Sequence, residues 1–306
     1  MGAYFLPDPL TGVMNDPTAP GFPIQDYRPY RNYQTMTLVS HGSYQNYNAL
    51  IGSWNKRSGP LTVMLNYTFS KVLGIRDGQS DNGATNGVAA NPWNLRDNYG
   101  VLPYDHTHVF NAAYVVGLPR FQKSNVLARL GLGGWALSGT NHIESGAPIQ
   151  PNTGESLFLS ATGGLTPQMW LGTDSQPLLP VLTCDPRSGL KSGQYFNPAC
   201  FALGPPGTVG PAIWPYIHGP AYINSDLAVY KDFRIGDRHT IQARFSAFNF
   251  VNHPLKSFNA NGDGSDVSLH FTKPLAGTTN SNPLTTGYPL YEVGRRIVEI
   301  TLRYRF

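Results

Sequence analysis

The chain has 306 residues, a formal net charge of +4, 13% charged and 12% aromatic residues, 33 glycines and 26 prolines. The charged fraction is low, and the scattered Lys and Arg form no basic block, which argues against a nucleic-acid partner. Mean hydropathy is −0.25 and no run of 18 apolar residues occurs, so a transmembrane helix is excluded. A membrane β-structure is not, because its apolar residues alternate with polar ones.

Residues 1–30 read as an irregular lead-in. Met1 to Leu10 has neither a positive n-region nor an apolar h-region and is not a signal peptide. A strand is expected over Asn32–Ser40 and another over Tyr47–Lys56. Ser58-Gly59-Pro60 makes a tight turn. In the next strand Leu61, Val63, Leu65, Tyr67 and Phe69 alternate with Thr62, Met64, Asn66, Thr68 and Ser70. A long loop covers 72–103. His106 and His108 lie two apart and share one strand face, a spacing that suits a metal. Asp105 faces the other way and no third ligand is evident, so a polar strand end is the better reading.

Phe110, Ala112, Tyr114, Val116 and Leu118 alternate with weaker contrast, and a moderate turn over 119–128 follows. Trp135, Leu137 and Ile143 then alternate with Ala136, Ser138, Thr140, His142 and Glu144. The connection 147–220 is very long and rich in Pro, Gly, Ser and Thr. It holds Cys184 and Cys200, a candidate disulfide that would close a loop of about 15 residues and contribute ~3 kcal/mol. Such a bond needs an oxidising compartment.

Further strands are expected around Ile223–Phe233 and Ile241–Ala247, joined by a tight turn at Gly236. In the long loop 252–294, Asn261-Gly262-Asp263-Gly264-Ser265-Asp266 has the look of a calcium loop. Thr272 stands where its terminal Glu belongs, so an ordinary turn is expected. In the last strand Val298, Ile300, Leu302, Tyr304 and Phe306 point one way, while Glu299, Thr301, Arg303 and Arg305 point the other.

That makes about eight strands, with short connections at one end and long ones at the other. This asymmetry belongs to outer-membrane barrels, with short periplasmic turns and long extracellular loops, and soluble sandwiches rarely need three loops this long. The expected fold class is therefore an all-β, antiparallel transmembrane β-barrel segment. Tyr67, Phe69, Trp135, Tyr230, Phe233, Tyr304 and Phe306 are candidates for interfacial girdles, Tyr230 only weakly because it falls on the polar side. No catalytic, phosphate-binding or zinc-protease motif occurs, so no enzyme, metal or cofactor is expected.

Several segments resemble the C-terminal barrel of TonB-dependent receptors, in the branch whose N-terminus carries a carboxypeptidase-regulatory-like domain. They are Asn46-Tyr47-Asn48-Ala49-Leu50, Tyr67-Thr68-Phe69-Ser70-Lys71, Asn94 to Gly100, Tyr104 to His108, Gly133-Gly134-Trp135, Glu144 to Pro148, Tyr195 to Phe201, and Phe248 to Pro254. The resemblance implies energised import of a scarce nutrient (a siderophore, cobalamin or a glycan) through a 22-stranded barrel with a plug. On this reading residues 31–306 are the C-terminal portion of the barrel, and the plug, the TonB-contacting segment and the first strands lie in a longer parent. The implied partners are outer-membrane lipid, TonB through that parent, and the barrel-assembly machinery. The face of Val298, Ile300, Leu302, Tyr304 and Phe306 would carry the assembly signal. The alternatives are a small self-closing barrel acting as adhesin or anchor, and a soluble carbohydrate-binding β-sandwich.

Overall fold

Period-two alternation becomes strand over most of the stretches that carry it. The computed structural model describes residues 30, 32–33, 42–75, 94–102, 104–119, 131, 133–153, 180–202, 217–236, 238–258, 266–269, 287–289 and 291–306. Most of the expected strand at Asn32–Ser40 and most of the calcium-like run lie outside them, and Asn32 itself sits in a turn with φ 72°. The strands are β1 (Gln45–Ser58), β2 (Leu61–Ile75), β3 (Tyr99–Val101), β4 (His108–Gly117), β5 (Trp135–Glu144), β6 (Gln150–Thr153) and β7 (Val181–Leu182). After them come β8 (Phe201–Ala202), β9 (Tyr222–Ile235), β10 (His239–Phe248), β11 (Leu255–Ser257), β12 (Asp266–Leu269), β13 (Tyr291–Val293) and β14 (Ile297–Arg305).

Seven long strands pair in the order β1-β2-β4-β5-β9-β10-β14, with the short β3 continuing the column of β4 along β2. Every step along this order is antiparallel. The two tightest turns, Ser58–Leu61 and Ile235–His239, lie at the same end of the sheet and contain Gly59 (φ 59°) and Gly236 (φ 64°). Those positive angles place both residues where a side chain would be strained. The long connections all leave from the other end.

Closure is absent. β1 and β14 stand at the two ends of the order and are not paired with each other. The expected transmembrane barrel segment of a TonB-dependent receptor is therefore corrected to an open, antiparallel all-β sheet. TonB-dependent transport and the self-closing small barrel fall with it, since both need a closed wall. The physical reason is that alternation and turn chemistry fix each hairpin locally, whereas closure depends on what meets the two edges. In hydrocarbon those edges leave backbone N–H and C=O groups unpaired, so these seven strands alone are not a membrane-spanning unit.

The soluble sandwich fails on different grounds. Ile300, Leu302 and Leu50 are 76%, 73% and 72% exposed instead of packed on a second sheet. The large buried apolar side chains, among them Leu102, Ile149, Phe196, Phe201, Ile217 and Phe258, sit under the long connections, not beneath the sheet.

Candidate membrane-facing surface

Register sorts the side chains of the main sheet onto two faces, because directly paired residues point the same way. One cross-strand row reads Leu61, Val116, Leu137, Val229, Phe245, Ile300. The neighbouring row on the opposite face reads Thr62, Val115, Ser138, Ala228, Ser246, Glu299. A one-residue slip in any strand would exchange the two sets. Six strands thus present one continuous apolar face, and Leu50 and Trp54 extend it onto β1.

Aromatic rings mark both ends of the apolar face. Trp135, Phe233, Tyr304 and Phe306 lie toward the short turns, while Tyr67, Phe69 and Phe110 lie toward the long connections. Phe110 pairs with Ile143, eight residues along β5 from Trp135. That is about 26 Å of strand at ~3.3 Å per residue, or ~20 Å across a layer if the strands tilt by ~40°. A histidine accompanies each end. Tyr67 Oη and His108 Nδ1 share a hydrogen bond of 2.7 Å, and Tyr304 Oη and His239 Nδ1 one of 2.6 Å. Each phenol thereby has a polar partner at the edge of an oily surface.

Lys231 is a cation on this face, in register with Trp135 toward the short turns. Its ammonium lies 5.6 Å from the Trp135 ring centre and 5.1 Å from that of Phe233, and the residue is buried. Cation–π contacts of this kind are worth about 0.5–2 kcal/mol and rise with desolvation.

The opposite face is polar and laced with hydrogen bonds. His142 Nδ1 meets Asn111 Oδ1 at 2.6 Å and His142 Nε2 meets Glu144 Oε2 at 3.3 Å. Ser53 donates to Asn66, Gln242 to Asp232, and Arg244 to Ser246. A hollow of about 350 Å³ spans β2 to β10 on this side.

At the long-connection end, Asp105 anchors the approach to β4. Its fully buried carboxylate accepts from Val72 N at 2.6 Å, Lys71 Nζ at 3.1 Å and Thr107 Oγ1 at 3.2 Å. Nearby, the two legs of the long connection meet at a neck. Ile149 N donates to Ile217 O, and Gly219 N donates to Ala147 O. A Cβ on Gly146 would collide with the Gly219 carbonyl, so only glycine allows this approach. His218 stands at the neck with Nδ1 3.3 Å from Gly146 O, and burial pushes its imidazole below the usual value.

Cys184 and Cys200 form a disulfide with Cα atoms 4.8 Å apart. It braces the β7–β8 hairpin beside the Phe196, Phe201 and Phe258 ring cluster. On its outer side the Arg187 guanidinium hydrogen-bonds Asp185 and holds that carboxyl below the usual range.

Val298, Ile300, Leu302, Tyr304 and Phe306 are all exposed, the paired four on the apolar face. Tyr230 lies on the polar face, in register with Ala136 and Arg244. His106 and His108 are not brought together as ligands. His106 precedes the strand and contacts Ser145 O, while His108 faces Tyr67 and Phe69. Among the described residues no group of three or more His, Cys, Asp or Glu is placed to hold a metal ion.

Three features escaped sequence reasoning: the Asp105 anchor, the Gly146–Gly219 neck and the Lys231 cage. Gly146 and Gly219 each stand beside a Pro-containing turn signal, but nothing in the linear sequence sets them against each other.

A family model described as outer membrane beta barrel domain matches residues 8–282. The matched span takes in β1 to β12. β14 lies beyond it, yet pairs with β10 in unbroken register over nine residues. No curated protein and no solved structure matches the chain.

Proposed function

The chain belongs to the outer membrane beta barrel domain family, and from that premise we propose that it is a structural, lipid-contacting sheet of the outer membrane. Its location is the outer membrane, and as a domain of this family it is not an enzyme. The observation that carries the reading is the face separation. The row Leu61, Val116, Leu137, Val229, Phe245, Ile300 runs without a polar break across six strands, and Phe245 and Ile300 are exposed. Burial of that surface against acyl chains is favourable by ~25 cal/mol per Å². The polar face, with its hollow, meets water. The exposed row Val298, Ile300, Leu302 and Tyr304 also presents the kind of surface that barrel-assembly machinery would read.

Paired lysine substitutions test the lipid contact. Ile300→Lys puts a charge on the apolar face, whereas the neighbouring Thr301→Lys puts it on the polar face. In outer-membrane preparations Ile300→Lys is expected to destabilise by about 2–4 kcal/mol if it sits near mid-depth, and Thr301→Lys by less than ~1 kcal/mol. Equal effects from the two variants would overturn the assignment.

A further inference from the structure

The hollow on the polar face is built from unequal side chains. Ser138, Ala228 and Ser246 are direct neighbours across β5, β9 and β10 and make a floor of small groups, with Ala228 and Ser246 buried. Met64 and Val115 line it on the β2–β4 side and Phe248 on β10, and all three are exposed. A face otherwise given to hydroxyls, amides and charges thus holds a partly apolar trough of about 350 Å³, a size that suits a small-molecule site.

The two ends of the trough carry opposite charges. Asp226 pairs with Thr140 toward the long connections, and its Oδ1 accepts from Asn249 N at 2.9 Å, which fixes the carboxylate. Arg244 pairs with Tyr230 toward the short turns, and its Nε donates to Ser246 Oγ at 3.1 Å, which turns the guanidinium toward the floor. Both residues line the hollow. Along β9 the Asp226 position lies four residues from the Arg244 row, about 13 Å at ~3.3 Å per residue. Among the described residues neither charge belongs to an ion pair within 4 Å. The carboxylate that β14 carries on this face, Glu299, accepts from Thr301 Oγ1 instead.

This arrangement selects an occupant. A ligand needs a cationic group at the Asp226 end, an anionic group at the Arg244 end and a partly apolar body between them. A fatty anion would satisfy Arg244 but set hydrocarbon against the Asp226 carboxylate, which is unfavourable. An extended peptide of roughly three or four residues carries both charges at the right spacing, since its backbone advances ~3.3 Å per residue. Ser138 and Thr140 offer hydroxyls to its backbone amides.

Resting on the water-facing half of the reading above, we propose that the hollow is a binding site for a short zwitterionic peptide, with its ammonium at Asp226 and its carboxylate at Arg244. Met64, Val115 and Phe248 take its small apolar side chains.

The test uses the whole chain in the outer membranes of the cell that makes it, with membranes lacking the chain as the blank. Radiolabelled tri-alanine is the probe, and saturable binding is expected. Alanyl-alanine is too short to reach both ends, and tri-alanine amide lacks the carboxylate. Each is expected to bind about tenfold more weakly, the loss of one charge-assisted contact. Arg244→Gln should weaken tri-alanine by a similar factor and should bind tri-alanine and its amide equally. Asp226→Asn keeps an acceptor for Asn249 N and should bind tri-alanine and its N-acetyl derivative equally. A merely structural role of either residue would not produce that equality. Absence of saturable tri-alanine binding would overturn the proposal, and so would an amide penalty in Arg244→Gln as large as in the wild type. Failure of the lipid reading would appear separately, as equal effects of Ile300→Lys and Thr301→Lys.

Discussion

The ring of Tyr114 lies over Gly139, its direct partner across the β4–β5 pair. A Cβ built on Gly139 would stand 2.5 Å from Tyr114 Cζ and 2.9 Å from Asp226 O. The glycine is thus a seat for the ring on the apolar face, filled from the next strand. Gly139→Ala is expected to displace the ring and cost about 1–3 kcal/mol, as overpacking does. Tyr114→Ala combined with Gly139→Ala should cost less than the sum of the single changes, which a double-mutant cycle in denaturant would measure.

Asp105 holds the start of β4 against the end of β2. Asp105→Ala removes the acceptor of the buried Val72 N–H bond and is expected to cost about 1–3 kcal/mol. Asp105→Asn keeps one acceptor oxygen but removes the charge facing Lys71, and should fall between wild type and alanine. Amide exchange at Val72 and Leu102 reports the local loosening, since Leu102 N donates to Val72 O.

The loop neck is expected to depend on pH. Burial lowers the His218 pKa from its ordinary value of about 6.5. The nearby charges of Lys71 and His108 lower it further, while the Gly146 carbonyl and Asp105 pull it back up. The folded state therefore binds the proton less readily than the unfolded chain. Its contribution is fully present above about pH 6.5 and is lost as pH falls through the lowered folded value. Exchange of the Ile149 and Gly219 amides should accelerate across that acidic window. His218→Gln should flatten the response, and an unchanged profile in this variant would assign the sensitivity to another group.

The disulfide braces a small core that the sheet does not supply. Replacing Cys184 and Cys200 together by serine is expected to cost ~3 kcal/mol for a loop of this length. The loss should be local. Proteolysis within 185–199 should rise, while the β-sheet signal of the seven long strands stays unchanged. A concerted loss of the sheet would mean that the loop core and the sheet unfold as one unit.

Strand positions were legible because side chains in a strand alternate regardless of what they face. Leu61–Phe69 and Val298–Tyr304 needed only that rule, and Gly59 and Gly236 marked the turns by their freedom at positive φ. Cys184 and Cys200 were legible as a pair because two cysteines in one loop region leave little choice. Asp105 was read by parity alone, as a side chain on the far face from His106. Two of its partners, Lys71 and Val72, are more than thirty residues away. Lys231 gives no signal of its cage in the linear sequence, because only the pairing of β5 with β9 brings Trp135 beside it.

The sequence by itself determined the two-faced strands and the segregation of short turns from long connections, because both follow from local backbone geometry and the spacing of apolar residues. Tertiary structure alone decided the open order from β1 to β14, the shared direction of its edges and the closely packed neck at Gly146. Each of these depends on which distant segments meet, and periodicity along one chain carries no record of its neighbours.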